Sequence, residues 1–148
     1  MKLTKIPEIY KNINALVDQF YQEFIVVDSH NIQEKILNHS ANCTFIMALN
    51  AYAQKQVGES ELYLENAFNK ARDEGRTQII SSGTRATDKA VEAKAENDPE
   101  VQTRKIELVE AKYKANLIKS LSIGMQNQKD MLIQISANQR AENKLLTE

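Results

Sequence analysis

The chain has 148 residues, with 19 Lys and Arg against 20 Asp and Glu, four Gly, two Pro, no Trp and a single cysteine. That length suffices for one domain with a real core, and the shortage of turn and strand formers points to an all-α fold. One cysteine excludes an intramolecular disulfide and a multi-cysteine zinc site, which sets a reducing, cytoplasmic location as the expectation. No run approaches the ~18 apolar residues of a membrane span, and the first residues lack the apolar core of a signal peptide.

Charge is unevenly spread. Residues 1–69 carry 5 Lys/Arg and 8 Asp/Glu, residues 70–119 carry 11 and 9, and residues 120–148 carry 3 and 3. The middle is mildly basic, which is too little for nucleic-acid binding by bulk charge of one chain, although several chains can pool a patch.

The first helix is expected from Pro7 to about Val26. Ile6, Ile9, Ile13, Leu16, Val17, Phe20 and Phe24 recur at three-to-four spacing and form one apolar face. Asp28-Ser29-His30-Asn31 is a polar break, and Asn31 followed by Glu34 resembles a capping box. A second helix follows to about Glu74, with Gly58 as a weak point and Gly75 as its expected C-cap. His39 and Asn50 are polar residues on its apolar face, suited to fixing register between helices.

Ser81-Ser82-Gly83-Thr84 is the clearest break in the sequence. A short helix with Val91 as its only large apolar residue is expected between Thr84 and Asn97, inside a mobile link at 75–97. Asp98-Pro99-Glu100 is a strong helix start. The final helix is expected from Pro99 to about Arg140, roughly 60 Å at ~1.5 Å per residue. Its apolar row is Ile106, Val109, Tyr113, Leu117, Leu121, Met125, Leu132 and Ile135, beside a second row rich in small residues, Ala111, Ala115, Ile118, Ser122 and Ile133. The domain expectation is therefore an N-terminal helical hairpin at 1–74, the link at 75–97 and a long helix at 98–148, all in one structural domain. Antiparallel hairpins would assemble into a helical homo-oligomer through Leu117, Leu121, Leu132 and Ile135.

The sequence advertises no catalytic set, cofactor site or metal centre. His39 and Cys43 are one helical turn apart, so they could share a metal or form a thiol–imidazole pair, but no third ligand follows at regular spacing and a core histidine and cysteine account for them. The four isolated glycines exclude a glycine-rich phosphate loop. A basic set is the more informative feature: Lys70, Arg72, Arg76, Arg85, Lys89 and Lys94 straddle the 75–97 region, where Ser81, Ser82, Thr84 and loop N–H groups could help to hold phosphates. Tyr63 is a further expectation for stacking on bases. Asp73, Glu74, Asp88 and Glu92 are interleaved, so a solvated mixed-charge surface is the competing reading.

The helical N-terminal half ending near Lys70-Ala71-Arg72, the link, the Asp-x-x-Val helix start at Asp98 to Val101 and the long final helix together resemble the phage recombination mediators of the UvsY type. The likeness covers about residues 35 to 140. It implies single-stranded DNA binding, ring-like homo-oligomers formed through C-terminal helices, and loading of a RecA-type recombinase onto strands coated with single-strand-binding protein. The family's Lys-Ala-Arg-Leu motif is partly present, with Asp73 and Glu74 following Arg72. Lys70 and Arg72 carry over as phosphate contacts, whereas Arg76, Arg85 and Lys89 are added from charge and position. No enzyme activity is implied. A different class stays open: a helical phage assembly or adaptor protein that binds protein partners rather than DNA.

Overall fold

The computed structural model describes residues 2–145, with the side chain of residue 145 excepted, so the end of the 98–148 segment lies outside the described residues. Every element among them is helical. A 3-10 turn at Leu3–Lys5 leads into α1 (Ile6–Lys11), α2 (Ile13–Phe20) and a π-helical turn at Tyr21–Ile25. Three longer elements follow: α3 (Ile32–Ser81), α4 (Asp88–Glu96) and α5 (Pro99–Leu145). No described helix is long and apolar enough to cross a membrane. The chain forms two compact units, one of Met1–Ala53 with Lys114–Glu148, the other of Gln54–Tyr113.

The single N-terminal helix expected over Pro7 to Val26 is divided. Asn12 breaks it, with its side-chain amide donating to Glu8 O at 3.1 Å. The π turn then ends it, with Val26 N–H donating to Tyr21 O at 3.1 Å. The apolar face survives the break, because Ile6, Tyr10, Ile13, Phe20 and Phe24 are all buried. In this first unit, Phe20, Phe24 and Phe45 form a trio with centroids 5.4 to 6.2 Å apart. Tyr10 and Tyr52 meet edge to face at 5.4 Å. Such aromatic pairs add roughly 0.5–1.5 kcal/mol each beyond their burial.

The turn into α3 is held by Asp28 and Asn31 rather than by Glu34. Asp28 Oδ1 accepts from the N–H groups of His30 and Asn31, at 2.8 and 2.9 Å, while Asn31 Oδ1 accepts from Asp28 N–H at 2.8 Å. The donor that a capping box would give to Glu34 is thus already satisfied.

α3 runs through both Gly58 and Gly75 and stops at Ser81, not near Glu74. Gly75 is not a cap, since Gly83 is the described glycine with a positive φ, at 75°. Gly75 instead lies buried within the second unit, where an added Cβ would sit 3.5 Å from Lys94 Cδ, an ordinary contact. The helix ends where its last carbonyls find partners. Gly83 N–H donates to Ile80 O at 3.0 Å and Thr84 N–H to Ile79 O at 3.3 Å, a Schellman arrangement that needs the left-handed residue at Gly83.

In the second unit, α4 begins later than the sequence suggested. Thr87 caps it, its side chain accepting from Ala90 N–H at 3.3 Å. Val91 and Ala95 are fully buried, and Ala95 joins Ala67, Ala71 and Val101 in a small core flanked by Leu64 and Phe68. α5 starts as expected: Asp98 Oδ1 accepts from Glu100 N–H at 2.9 Å and from Val101 N–H at 3.3 Å.

Candidate nucleic-acid interface

The basic residues separate according to the face of the helix each occupies. At about 100° per residue, Lys70 and Arg72 flank buried Ala71 on opposite sides of α3, whereas Arg72 and Arg76 are about 40° apart. Lys70 Nζ lies 3.5 Å from Glu100 Oε2 at the start of α5. Arg72 is half-buried, and Arg76 Nη2 reaches Asp88 Oδ1 at 3.3 Å. Arg85 is exposed on the connection to α4, and Lys89 stands in the first turn of α4, about 200° from its buried Val91.

Arg76 and Arg85 are therefore brought together. They line an open depression of about 610 Å³ around the Gly83 turn, with Thr84 and Asp88 on its rim. The N-terminal end of α4 meets the same depression and contributes its positive dipole end. Asp88 is the counterweight, because its carboxylate occupies the place that suits an anion. Lys70 lies apart from this group, and Lys94 is used through its aliphatic stem against Gly75.

Tyr63 is 52% exposed, and a cation covers one face of its ring. The guanidinium of Arg104 lies over its ring at 5.4 Å. Arg104 also meets Glu107 at 2.9 Å and Glu100 at 4.0 Å. The hydrogen bond to Glu107, followed by that carboxylate's charge, raises the Arg104 pKa above its ordinary value, so the group is charged throughout the accessible pH range. Phe68 packs against the alanine core.

Compared with known proteins, the chain matches no family model, no curated protein and no solved structure. What the site can do is accordingly read from its own chemistry: cations, a helix N-terminus and a glycine turn suit a phosphate, and their openness suits a flexible strand rather than a small enclosed ligand. The described residues hold no cluster of three or more metal-ligating side chains. Cys43 is a free, half-buried thiol, and His39 is engaged elsewhere, with its Nδ1 2.9 Å from Gln128 Oε1.

The four residues named for self-association divide in the same way. Leu121 and Leu132 are 2% and 6% exposed and already serve the core of the first unit, while Leu117 and Ile135 are half-buried. The open apolar surface of α5 within the second unit lies at Ile106, Val109 and Tyr113, exposed by 69%, 69% and 55%. Sequence reasoning placed these in the same row as Leu121. A row at strict spacing drifts around a helix of 3.6 residues per turn, and the small residues Ala111 and Ala115 are the ones that face inward.

Proposed function

We propose that the chain is a homo-oligomeric, single-stranded-DNA-binding accessory protein of recombination that helps to load a RecA-type recombinase. The observation that carries the DNA-binding part is the convergence of Arg76 and Arg85 on the depression at the start of α4, with Lys89 in the adjoining helical turn. Phosphate contacts of this kind hold a strand without reading its sequence. The recombinase and single-strand-binding partners come from the likeness to the UvsY-type mediators. Each protomer binds weakly in this reading, and a homo-oligomer multiplies the contacts into avidity. The antiparallel hairpin arrangement belongs to the same proposal, and the ion pairs Glu61–Lys112 and Lys70–Glu100 support it, since numbering rises along α3 as it falls along α5.

A fluorescein-labelled oligothymidine titrated with protein, followed by anisotropy, tests the reading. Binding should weaken steeply with salt. Arg76→Ala with Arg85→Ala should flatten the log–log salt slope by roughly 1.4, at about 0.7 for each single-strand phosphate that is no longer neutralised. Absence of salt-sensitive binding at low ionic strength, with helicity intact, refutes it.

One observation favours the second reading, a helical assembly or adaptor protein. Ile106, Val109 and Tyr113 share one open face of α5, at three- and four-residue spacing. A stable hetero-complex indifferent to added oligonucleotide, and abolished by Ile106→Ser with Val109→Ser, would favour that reading over DNA binding.

A further inference from the structure

We propose that the groove between the start of α3 and the end of α5 binds a short acidic peptide segment carrying one apolar side chain. The groove lies within the first unit, apart from the basic residues around Gly83, and the inference goes beyond the DNA-binding reading without resting on it. Its floor is aliphatic, made by Ile36, Leu132 and Ile133, and its volume is about 270 Å³. Lys129 and Arg140 flank that floor, and no acidic side chain lines it.

The cations are placed by helical spacing. Residues 129, 133, 136 and 140 follow one another by four, three and four, so they fall within about 60° of one another on a single face of α5. Lys129 and Arg140 are both exposed, and neither has an ion-pair partner among the described residues. That contrasts with Lys70, Arg76, Arg104 and Lys112, each of which meets a carboxylate. Arg140 is steadied by its own helix, its Nε–H donating to Ser136 O at 3.1 Å, which leaves the outer N–H groups of the guanidinium for a ligand.

His39 supplies a third polar group of fixed orientation. The Gln128 amide nitrogen donates to Phe24 O and Ile25 O, so its oxygen is the atom that faces the histidine. His39 Nδ1 therefore carries the proton of that 2.9 Å bond, and Nε2 is the ring's remaining polar atom.

The chemistry favours a peptide over a nucleic acid. No Phe, Tyr or Trp ring lines the groove, and its one ring is the half-buried imidazole of His39, tied to Gln128, so a base finds little to stack on, whereas one branched aliphatic side chain suits the floor. Lys129 and Arg140 are separated by 11 positions, about 16 Å of helix rise. A five-residue extended segment spans about the same distance at roughly 3.3 Å per residue. Its terminal carboxylates would meet the two cations, Arg140 in the bidentate mode that guanidinium geometry prefers.

The test uses the full chain and a fluorescein-labelled pentapeptide of two aspartates, a leucine and two more aspartates, followed by anisotropy. Saturable binding is expected, with affinity falling at least about tenfold when Lys129→Glu is combined with Arg140→Glu. Ile133→Ser should also weaken it. All three positions are exposed, so unchanged helicity and melting are expected, and they show that the effect is local. The leucine-to-serine peptide should bind more weakly, and the lysine-for-aspartate peptide not at all. Absence of saturable binding, equal binding of the lysine peptide, or indifference to the double substitution overturns the proposal. Oligothymidine that displaces the peptide through Lys129 and Arg140 does so as well, by making the groove a nucleic-acid site.

Discussion

Gln128 is buried in α5 and uses both ends of its amide on groups from other elements. Its nitrogen donates to Phe24 O and Ile25 O, the latter at 2.8 Å, and its oxygen faces His39 Nδ1. Leucine there would keep the volume and leave three polar groups without partners. An unmade buried hydrogen bond costs about 1–3 kcal/mol, and neighbouring effects are not additive, so Gln128→Leu should lower stability by about 2–4 kcal/mol in urea denaturation. The sequence exposed half of this pair. A histidine on the apolar face of a helix signals a register contact, but a glutamine among other polar residues of α5 looks like any solvated side chain. The basic set was legible as charge and not as geometry: Lys70 and Arg72 are neighbours in sequence, yet two positions apart on a helix they face different ways.

Among the elements, the starts and stops that rest on side-chain chemistry were readable, and those that rest on packing were not. Asp98 caps α5 as its sequence indicates, and Gly83 closes α3 within the Ser-Ser-Gly-Thr break. Gly75 misled because a glycine signals a cap only where φ turns positive, and here it is one helical residue among others. The glycines of the long helices consequently behave differently on substitution. Gly58 faces open space, so Gly58→Ala should stabilise by about 0.5–1 kcal/mol, the ordinary helical preference for alanine. Gly124 sits against Ile25, where a new Cβ would come within 2.6 Å of Cδ1 and 3.2 Å of Cγ2. Gly124→Ala should therefore forfeit that gain and destabilise, by about 1–3 kcal/mol for an overpacked contact. Gly83→Ala should cost about 1 kcal/mol through the left-handed backbone alone. Thermal melts of the three variants would rank them in that sense, Gly58→Ala above the parent and the other two below.

For the whole molecule, the two units differ in what holds each together. The first contains Phe20, Phe24, Phe45 and Tyr10 in or beside its core, whereas the second relies on Ala67, Ala71, Val91, Ala95 and Val101, with Leu64 and one aromatic ring, the partly buried Phe68, packed beside them. Aromatic side chains bury far more area than alanines. Amides of 54–113 should consequently exchange with deuterium faster than those of the first unit's helices, read by mass spectrometry at peptide resolution. Substitutions meant to probe assembly must respect the same distinction. Leu121→Glu buries a charge and should unfold its unit, whereas Ile106→Ser with Val109→Ser alters only exposed surface. If the open face of α5 joins subunits, the serine pair should lower the mass seen by light scattering while circular dichroism is unchanged. All-helical architecture and the long final helix were evident from composition and apolar spacing. Which apolar row turns inward was not, because that depends on the small residues a neighbouring helix can approach.

The contact between Gln128 and the π turn has a kinetic side. Its two hydrogen bonds join residues 104 and 103 positions apart in the chain. The carbonyls at the end of the N-terminal helices thus have only water as a partner until a segment far along the chain packs against them. Contacts of such long separation close slowly, and the segment that depends on them is expected to lock last. Conservative changes at Gln128 should leave the folding limb of a chevron nearly unmoved and act through a faster unfolding rate, giving a φ-value near zero.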